Sequence, residues 1–459
     1  MRSRFIGKPV GLKDMLHARD VRVLRQQKML AQYKQPIICL TLNIAGPVKY
    51  FPMAERTFEV GCAAVEACLN ARCVQVTDNK SYIEDTGCEA FFSVDAPAEE
   101  IKRMMVKIED RCEFNRLFDI DVLRPNGTKV QRSDVGHQPR KCFLCDSPAE
   151  QCARSRTHTV EQLQQFTKKT MISYFSEMFS ENISRHALRA LLYEVSTTPK
   201  PGLVDRTNNG AHKDMDFFTF IDSSCSLIPY FKTCAKMGLR YFNSDDQDLF
   251  ELLRPEGVLA EKRMLTATGG VNTHKGAIFS LGLICAAAGR IAARGNMLNV
   301  ESLCCDVQKL ARCALKDYER TRTSIELTGG EKAFFLYGLT GVRGEAASGF
   351  IHARKIGLPK LQNQLEQGST INDAGVVALL HLMSSTQDTN VVKRRGIEAL
   401  KKMHHSVESL LNEGEPNMED VVRLDRRLSE LNISPGGCAD LLAITFFLCF
   451  ITTDPNLKI

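Results

Sequence analysis

The residues best suited to chemistry lie between Tyr193 and Asp216, in Y-E-V-S-T-T-P-K-P-G-L-V-D-R-T-N-N-G-A-H-K-D-M-D. Lys200, Arg206, Asn208 and His212 stand there with Asp205, Asp214 and Asp216, among Pro199, Pro201, Gly202 and Gly210. Turn-forming residues of this kind end a helix and shape a loop that can hold a ligand. Its cations suit phosphate, and its carboxylates suit a divalent ion such as Mg2+ or a proton. Two later stretches share the composition, T-G-G-V-N-T-H-K (268–275) and S-P-G-G-C-A-D (434–440). Three such loops read as one polyphosphate–metal site. In the second, Gly269, Gly270 and Asn272 precede a helix of small residues, whose N-terminus offers free N–H groups to phosphate. Lys275 adds a point charge there, and His274 a proton or a hydrogen bond. A fourth loop, G-V-R-G-E-A (341–346), sets Arg343 between two glycines with Glu345 after them. In S-P-G-G-C-A-D, Gly436 and Gly437 open an apolar helix that Ser434 or Asp440 could cap, or where either could hold a metal. A plainer reading stands beside each: a turn before a helix, a packed core histidine at 274, a helix-end carboxylate at 440, and in D-T-N (388–390) an N-cap for the helix from Val391. Spacing alone does not bring these loops together.

The first 160 residues carry a different set. L-N-I-A-G-P-V-K (42–49) is a strand-to-loop turn ending in Lys49. F-D-I-D-V (118–122) places Asp119 and Asp121 on one face of a strand, because side chains alternate. Two carboxylates on one face repel unless a cation lies between them, which suits a Mg2+-type ion; an exposed strand face is the alternative. Arg124, Arg132 and Arg140 follow, as phosphate ligands or as solvated charges. C-F-L-C-D-S-P-A-E-Q-C-A-R-S-R-T-H (142–158) offers Cys142, Cys145, Cys152 and His158, a ligand set that zinc accepts and that also fits a cluster of buried thiols.

These groups must be positioned by a fold. A chain of 459 residues suggests more than one domain, and 44% hydrophobic with 25% charged residues is ordinary globular composition. A net charge of +6 is too small to argue for nucleic acid. The 17 cysteines and the lack of an apolar run in Met1–Leu12 favour free thiols in a reducing cytoplasm. The longest apolar runs, 276–288 and 441–451, fall short of the roughly 18 residues of a membrane span. Periodicity predicts helices over 14–33 and 97–112 and strands over 36–42, 89–94 and 117–123, hence an α+β domain over 1–165. Helical period then dominates: 163–178, 184–195, 247–254, 275–293, 302–322, 374–383, 391–412, 418–431 and 438–450, hence a larger all-α domain over 170–459. The boundary is expected near 160–172.

The C-terminal motifs P-K-P-G-L-V-D-R, N-G-A-H-K-D-M-D, T-G-G-V-N-T-H-K-G, G-V-R-G-E-A-A-S-G-F, D-T-N-V-V-K-R-R-G and S-P-G-G-C-A-D-L-L-A occur in order over about 173–455. They resemble the triphosphoribosyl-dephospho-coenzyme A synthase family, with Cys438 where that family suggests Ser. The resemblance implies transfer of the triphosphoribosyl group of ATP to the ribose 2-hydroxyl of dephospho-coenzyme A, with release of adenine. The N-terminal motifs A-R-D-V-R, L-N-I-A-G-P-V-K, R-L-F-D-I-D-V and C-F-L-C…C-A-R-S-R-T-H, over about 15–165, resemble holo-citrate lyase synthase, with Asn115 in place of an expected Gly. That resemblance implies attack by a serine of the citrate lyase acyl carrier subunit on the phosphate next to the ribose, with loss of diphosphate. On this reading Lys200, Arg206, His274, Lys275 and Arg343 surround phosphates, and Asp205, Asp214, Asp216 and Glu345 do metal or base work. Two other classes remain open on sequence alone. One is a kinase or adenylyltransferase, which would release ADP or AMP rather than adenine. The other is a non-enzymatic, zinc-dependent binding protein.

Overall fold

The computed structural model describes residues 2–320, 327, 329–414, 416–454 and 457. The chain divides into two compact units, Met1–Phe175 and Ser176–Ile459.

The N-terminal unit is built on an antiparallel sheet of order β2-β3-β1-β4, with β1 Ile37–Leu42, β2 Val76–Glu84, β3 Gly87–Val94 and β4 Phe118–Leu123. Helix α1 (Leu12–Tyr33) covers one face, where Met29 and Leu30 meet Ile37, Cys39, Phe91 and Leu123. Helices α2 (Pro52–Ala71) and α3 (Ala98–Glu109) pack against the sheet with buried apolar rows, including Phe58, Val65, Ile101 and Met105. Strand β4 is an edge strand paired to β1 in the register Cys39↔Asp121 and Thr41↔Asp119. Phe118, Ile120 and Val122 are buried, whereas Asp119 and Asp121 on the opposite face are half-buried. A short helix α4 (Ala149–Ser155) follows.

Helix α5 runs unbroken through Val160–Ser196, where the sequence predicts two helices. The polar interval between them does not break it. Ser180 and Ser184 return their hydroxyls to the Ser176 and Glu181 carbonyls and are buried there.

The C-terminal unit continues through α6 (Phe217–Ser226), α7 (Ile228–Arg240), α8 (Asp246–Ala267), α9 (Lys275–Arg294), α10 (Val300–Arg320), α11 (Gly329–Tyr337), α12 (Gly341–Ala347), α13 (Leu358–Glu366), α14 (Ile371–Ser385), α15 (Thr389–Arg395), α16 (Ile397–Asn412), α17 (Met418–Glu430) and α18 (Gly436–Thr453), with a π-helical turn at Ala353–Gly357. The observed architecture is therefore the expected one: a small α+β part followed by a larger helical part. Helix α8 continues past Pro255, where the sequence predicts its end. The predicted helix over 391–412 is divided at Gly396, whose φ of +80° suits glycine. Positions 321–322 of the predicted 302–322 helix lie outside the described residues.

The tightest helix contact joins α7 to α9. A Cβ on Gly238 would stand 1.9 Å from the Ala286 carbonyl oxygen, and one on Gly289 would stand 2.1 Å from that of Ala235. Each helix contributes a glycine to the crossing, so the two backbones touch. Helices α9 and α18 are both long and apolar enough to cross a membrane by length and composition. Most of the apolar window of each is buried inside the folded unit.

Candidate functional site

A cavity of about 1010 Å³ opens in the C-terminal unit, at the upper end of the size of small-molecule sites. Its wall takes Asn272, Lys275 and Gly276 from the start of α9, Arg343 and Glu345 from α12, Asp388 and Asn390 from the start of α15, and Gly437 and Asp440 from the start of α18. The N-terminal ends of four helices thus face one volume, each turning the positive end of its dipole towards it. Lys275 pairs with Glu261 at 2.8 Å, and Glu345 Oε1 lies 2.5 Å from His352 Nδ1.

The floor of this cavity is acidic. Asp388 is fully buried, and its carboxylate accepts the N–H groups of Asn390 (2.8 Å), Val391 (3.3 Å) and Cys438 (2.9 Å). Gly276 leaves the space that Asp440 fills: a Cβ at 276 would lie 1.9 Å from Asp440 Oδ2. Burial, with Glu194 and Asp388 nearby, holds the Asp440 carboxyl well above the ordinary carboxylate range, although the Ala277 N–H favours its ionised form. Burial also raises Asp388. Acids that resist ionisation in a cavity lined with cations and helix N-termini form a site that gains by taking up a cation.

The loop 199–216 lies outside this wall. Lys200 is buried and ion-paired with Glu194. Asp205, also buried, ties the loop together by accepting hydrogen bonds from Thr198 Oγ1, the Lys200 and Asn208 amides, and both the amide and the hydroxyl of Thr207. Arg206 donates to Asn372 Oδ1 at 2.9 Å. Asp216 caps α6 by accepting from the Thr219 amide at 2.8 Å, and Asp214 is largely exposed, 3.7 Å from His212. The loop does meet the third one: His212 Nε2 lies 2.8 Å from Ser434 Oγ, and a Cβ on Gly202 would strike the Ile433 carbonyl at 2.1 Å. His274 is buried against Phe220 and bonded to Ser223 Oγ at 2.7 Å. Burial, reinforced by the Lys200 charge, lowers it to about 3, so it is neutral at neutral pH. Gly269 and Gly270 form an exposed turn at φ +63° and +94°. Gly436 lies against Asn390, whose Nδ2 would stand 3.0 Å from a Cβ at that position.

In the N-terminal unit Asp119 and Asp121 share a face as expected, and each already has a cation. Arg140 Nη1 is 3.1 Å from Asp119, and Lys129 Nζ is 2.6 Å from Asp121. Burial and the neighbouring Asp121 still raise Asp119 above the usual range, against the pull of Arg140. Arg132 is held by Glu109 (2.7 Å) and Asp110 (2.9 Å). Lys49 donates to the Ile44 carbonyl, and burial with nearby Arg19 lowers its pKa. The ligand atoms of Cys142, Cys145, Cys152 and His158 all lie within 4.8 Å of one another. A hydrogen bond from His158 helps pull the Cys145 thiol down to about 6.

A family model described as ATP:dephospho-CoA triphosphoribosyl transferase matches residues 180–458, and one described as apo-citrate lyase phosphoribosyl-dephospho-CoA transferase matches 10–174. Protein CitXG of Haemophilus influenzae is 34% identical over 461 residues, spanning 97% of each chain. The chain belongs to this fused family. Protein CitXG of Leuconostoc mesenteroides subsp. cremoris is likewise 34% identical, over 96% of this chain and 97% of its own. The 2-(5''-triphosphoribosyl)-3'-dephosphocoenzyme-A synthase of Pectobacterium atrosepticum is 39% identical over 62% of this chain and 95% of its own. As a member of the fused family the chain is a bifunctional transferase of citrate lyase prosthetic-group synthesis, as the two resemblances imply. From sequence, Asp388 reads only as a helix cap, and Asp440 as a cap or a metal ligand. Their D-T-N and S-P-G-G-C-A-D contexts are visible in the chain, but their place in the cavity depends on the packing of α9, α15 and α18.

Proposed function

We propose that the cavity of the C-terminal unit is where ATP meets 3'-dephospho-CoA, and that the β4 face of the N-terminal unit is where the product is passed to a carrier. On this reading the domain expected over 170–459 carries the first step and the domain expected over 1–165 carries the second. Lys275, Arg343 and the N–H groups opening α9 and α18 bind the triphosphate tail. Asp440 and Asp388 face the ribose, where loss of adenine builds positive charge at C1. The 2-hydroxyl oxygen of dephospho-CoA bonds to C1, the C1–N9 electron pair leaves with adenine, and the hydroxyl proton ends on the departing base. A Mg2+ ion arriving with ATP would add charge neutralisation for the triphosphate, and the raised carboxyls of Asp388 and Asp440 fit it better than the helix cap Asp216 or the exposed Asp214. The observation that carries this reading is the meeting of the acids with Lys275 and Arg343 in one cavity.

In the second step a serine hydroxyl of the citrate lyase acyl carrier subunit attacks the phosphate next to the ribose and diphosphate departs. Arg140 and Lys129 beside Asp119 and Asp121 supply the positive charge that such transfer needs, and Lys49 with Arg19 supplies more. Zn2+ on Cys142, Cys145, Cys152 and His158 belongs to the same reading as a structural ion, and the setting is the cytoplasm. Mass spectrometry of mixtures of ATP and dephospho-CoA, with and without the carrier, tests both steps. Adenine and a carrier heavier by the phosphoribosyl-dephospho-CoA group are expected, whereas release of ADP or AMP would overturn the reading. Asp119→Asn is expected to lower carrier loading by about 10²-fold while adenine release stays within twofold.

A further inference from the structure

The segment after β4 binds two arginines into place. Arg116 donates from Nη2 to the carbonyls of Cys142 (2.6 Å) and Lys141 (3.2 Å). Arg140, two residues before Cys142, donates to the Phe118 carbonyl (2.5 Å), the Arg116 carbonyl (2.9 Å) and Asp119 Oδ1 (3.1 Å). The Cys142 segment is therefore stitched to the edge strand by Arg116 and Arg140, and the stitch ends on Asp119.

What holds the other side of this segment is the Cys–His group. Cys142 donates its amide to the Ser147 carbonyl at 2.8 Å, closing a tight turn that carries Cys145. Cys152 sits on α4, and the Thr157 amide returns to the Cys152 carbonyl at 3.3 Å, which brings His158 back to the thiols. All of these cysteines are free thiols, and Cys142 and Cys152 are buried. The His158 Nε2 atom is buried with no hydrogen-bond partner among the described residues. Three thiols and an imidazole within 4.8 Å of one another approach the tetrahedral zinc arrangement, in which ligand atoms stand about 3.6–3.8 Å apart. Four protein ligands leave no open position for substrate, so such a site is structural rather than catalytic, and thiolates favour Zn2+ over Mg2+.

We propose that Zn2+ bound by Cys142, Cys145, Cys152 and His158 is the clamp that positions Arg116 and Arg140 against β4, so that carrier loading depends on zinc while triphosphoribosyl transfer does not. The inference rests on β4 being the transfer site, and its metal part stands without that reading. Binding releases the thiol protons to solvent, and the metal changes no oxidation state.

The full chain is purified and its metal content measured by elemental mass spectrometry. One zinc per chain is expected, falling below about 0.2 in Cys145→Ser and in His158→Ala and unchanged in the control Cys305→Ser. Cobalt substitution of the wild-type chain is expected to give the intense thiolate-to-metal absorption of a tetrahedral site. Removal of the metal by a chelator should lower carrier loading at least tenfold and leave adenine release within twofold, with zinc restoring the loss. Zinc content that does not respond to Cys145→Ser overturns the site. Zinc bound at these ligands whose removal leaves carrier loading unchanged overturns the clamp. Failure of the β4 reading shows separately, as full carrier loading by Asp119→Asn with its zinc intact. Unchanged adenine release reports that the C-terminal unit of each variant has folded, and a circular dichroism spectrum and thermal midpoint matching the parent report the same of the N-terminal unit.

Discussion

Asp440→Asn is expected to abolish most adenine release and, at the same time, to make the protein harder to unfold. The carboxylate lies at the cavity wall beside the first turn of α9, in the space that Gly276 leaves open. An amide of the same shape keeps the contact and can still accept from the Ala277 N–H, but it cannot stabilise positive charge at the ribose. Loss of one such preorganised group costs on the order of 10²–10³-fold in turnover. The stability effect has the opposite sign. Burial raises the folded-state pKa of Asp440 well above its value in the unfolded chain. The native state therefore holds the proton more tightly, so this group favours folding below the ordinary carboxylate pKa, and that contribution is lost as pH rises towards the raised value. The amide variant has no such titration. Its thermal midpoint is expected to exceed that of the parent by more at pH 8 than at pH 5, in calorimetry without substrate. Equal midpoints at both pH values would show that Asp440 is not held against ionisation, and adenine release within threefold of the parent that it is not catalytic.

The second large effect is purely structural. Gly238→Val would force side-chain atoms into the Ala286 carbonyl, where even a Cβ stands at 1.9 Å. The neighbour is backbone of a fully packed helix and has no rotamer by which to yield. Overpacking of this kind costs about 3 kcal/mol, at the upper end of what such changes show. Because α9 also presents Lys275 and Gly276 to the cavity, prying it from α7 is expected to weaken ATP binding as well as stability. Thermal unfolding and ATP titration of the full chain check both. A midpoint within about 2 °C of the parent would mean that the crossing relaxes freely.

Much of this fold was legible in the sequence, for reasons that differ by element. Strands β1, β3 and β4 announce themselves as short apolar runs bounded by turns, and α9 and α18 as long runs of small and apolar residues after glycine. Strand β2 was missed because V-T-D-N-K-S-Y-I-E is largely solvent-exposed, with no buried row for alternation to reveal. Helix α2 was missed although Pro52 occupies its first turn and Met53, Thr57, Gly61 and Val65 mark a buried stripe. The α5 continuity and the passage of α8 through Pro255 are cases of tertiary packing overriding local signals. The site divided in the same way. Lys275, Arg343, Glu345, Asn272 and Gly437 were identified from loop chemistry and do line the cavity. The loop richest in ionisable residues instead spends Asp205 and Asp216 on its own backbone, and Lys200 on Glu194. Carboxylates that cap turns and carboxylates that meet ligands look alike until the third dimension is known, as Asp388 shows by doing the first while lining the cavity.

Arg290 gives helix α9 a further significance. Its guanidinium lies within the apolar stretch, fully buried, and is held by Asp306 at 2.6 Å and Asp246 at 2.7 Å. Before those partners have folded around it, the same segment leaves the ribosome as a greasy twenty-residue stretch. An unpartnered arginine within it opposes entry into a bilayer, by up to about 2.5–3.5 kcal/mol. The arginine that knits the folded helical core would thus, during synthesis, also oppose insertion of its own segment into a bilayer. A chain with leucine at 290 would risk being mistaken for cargo of the membrane before it could become an enzyme.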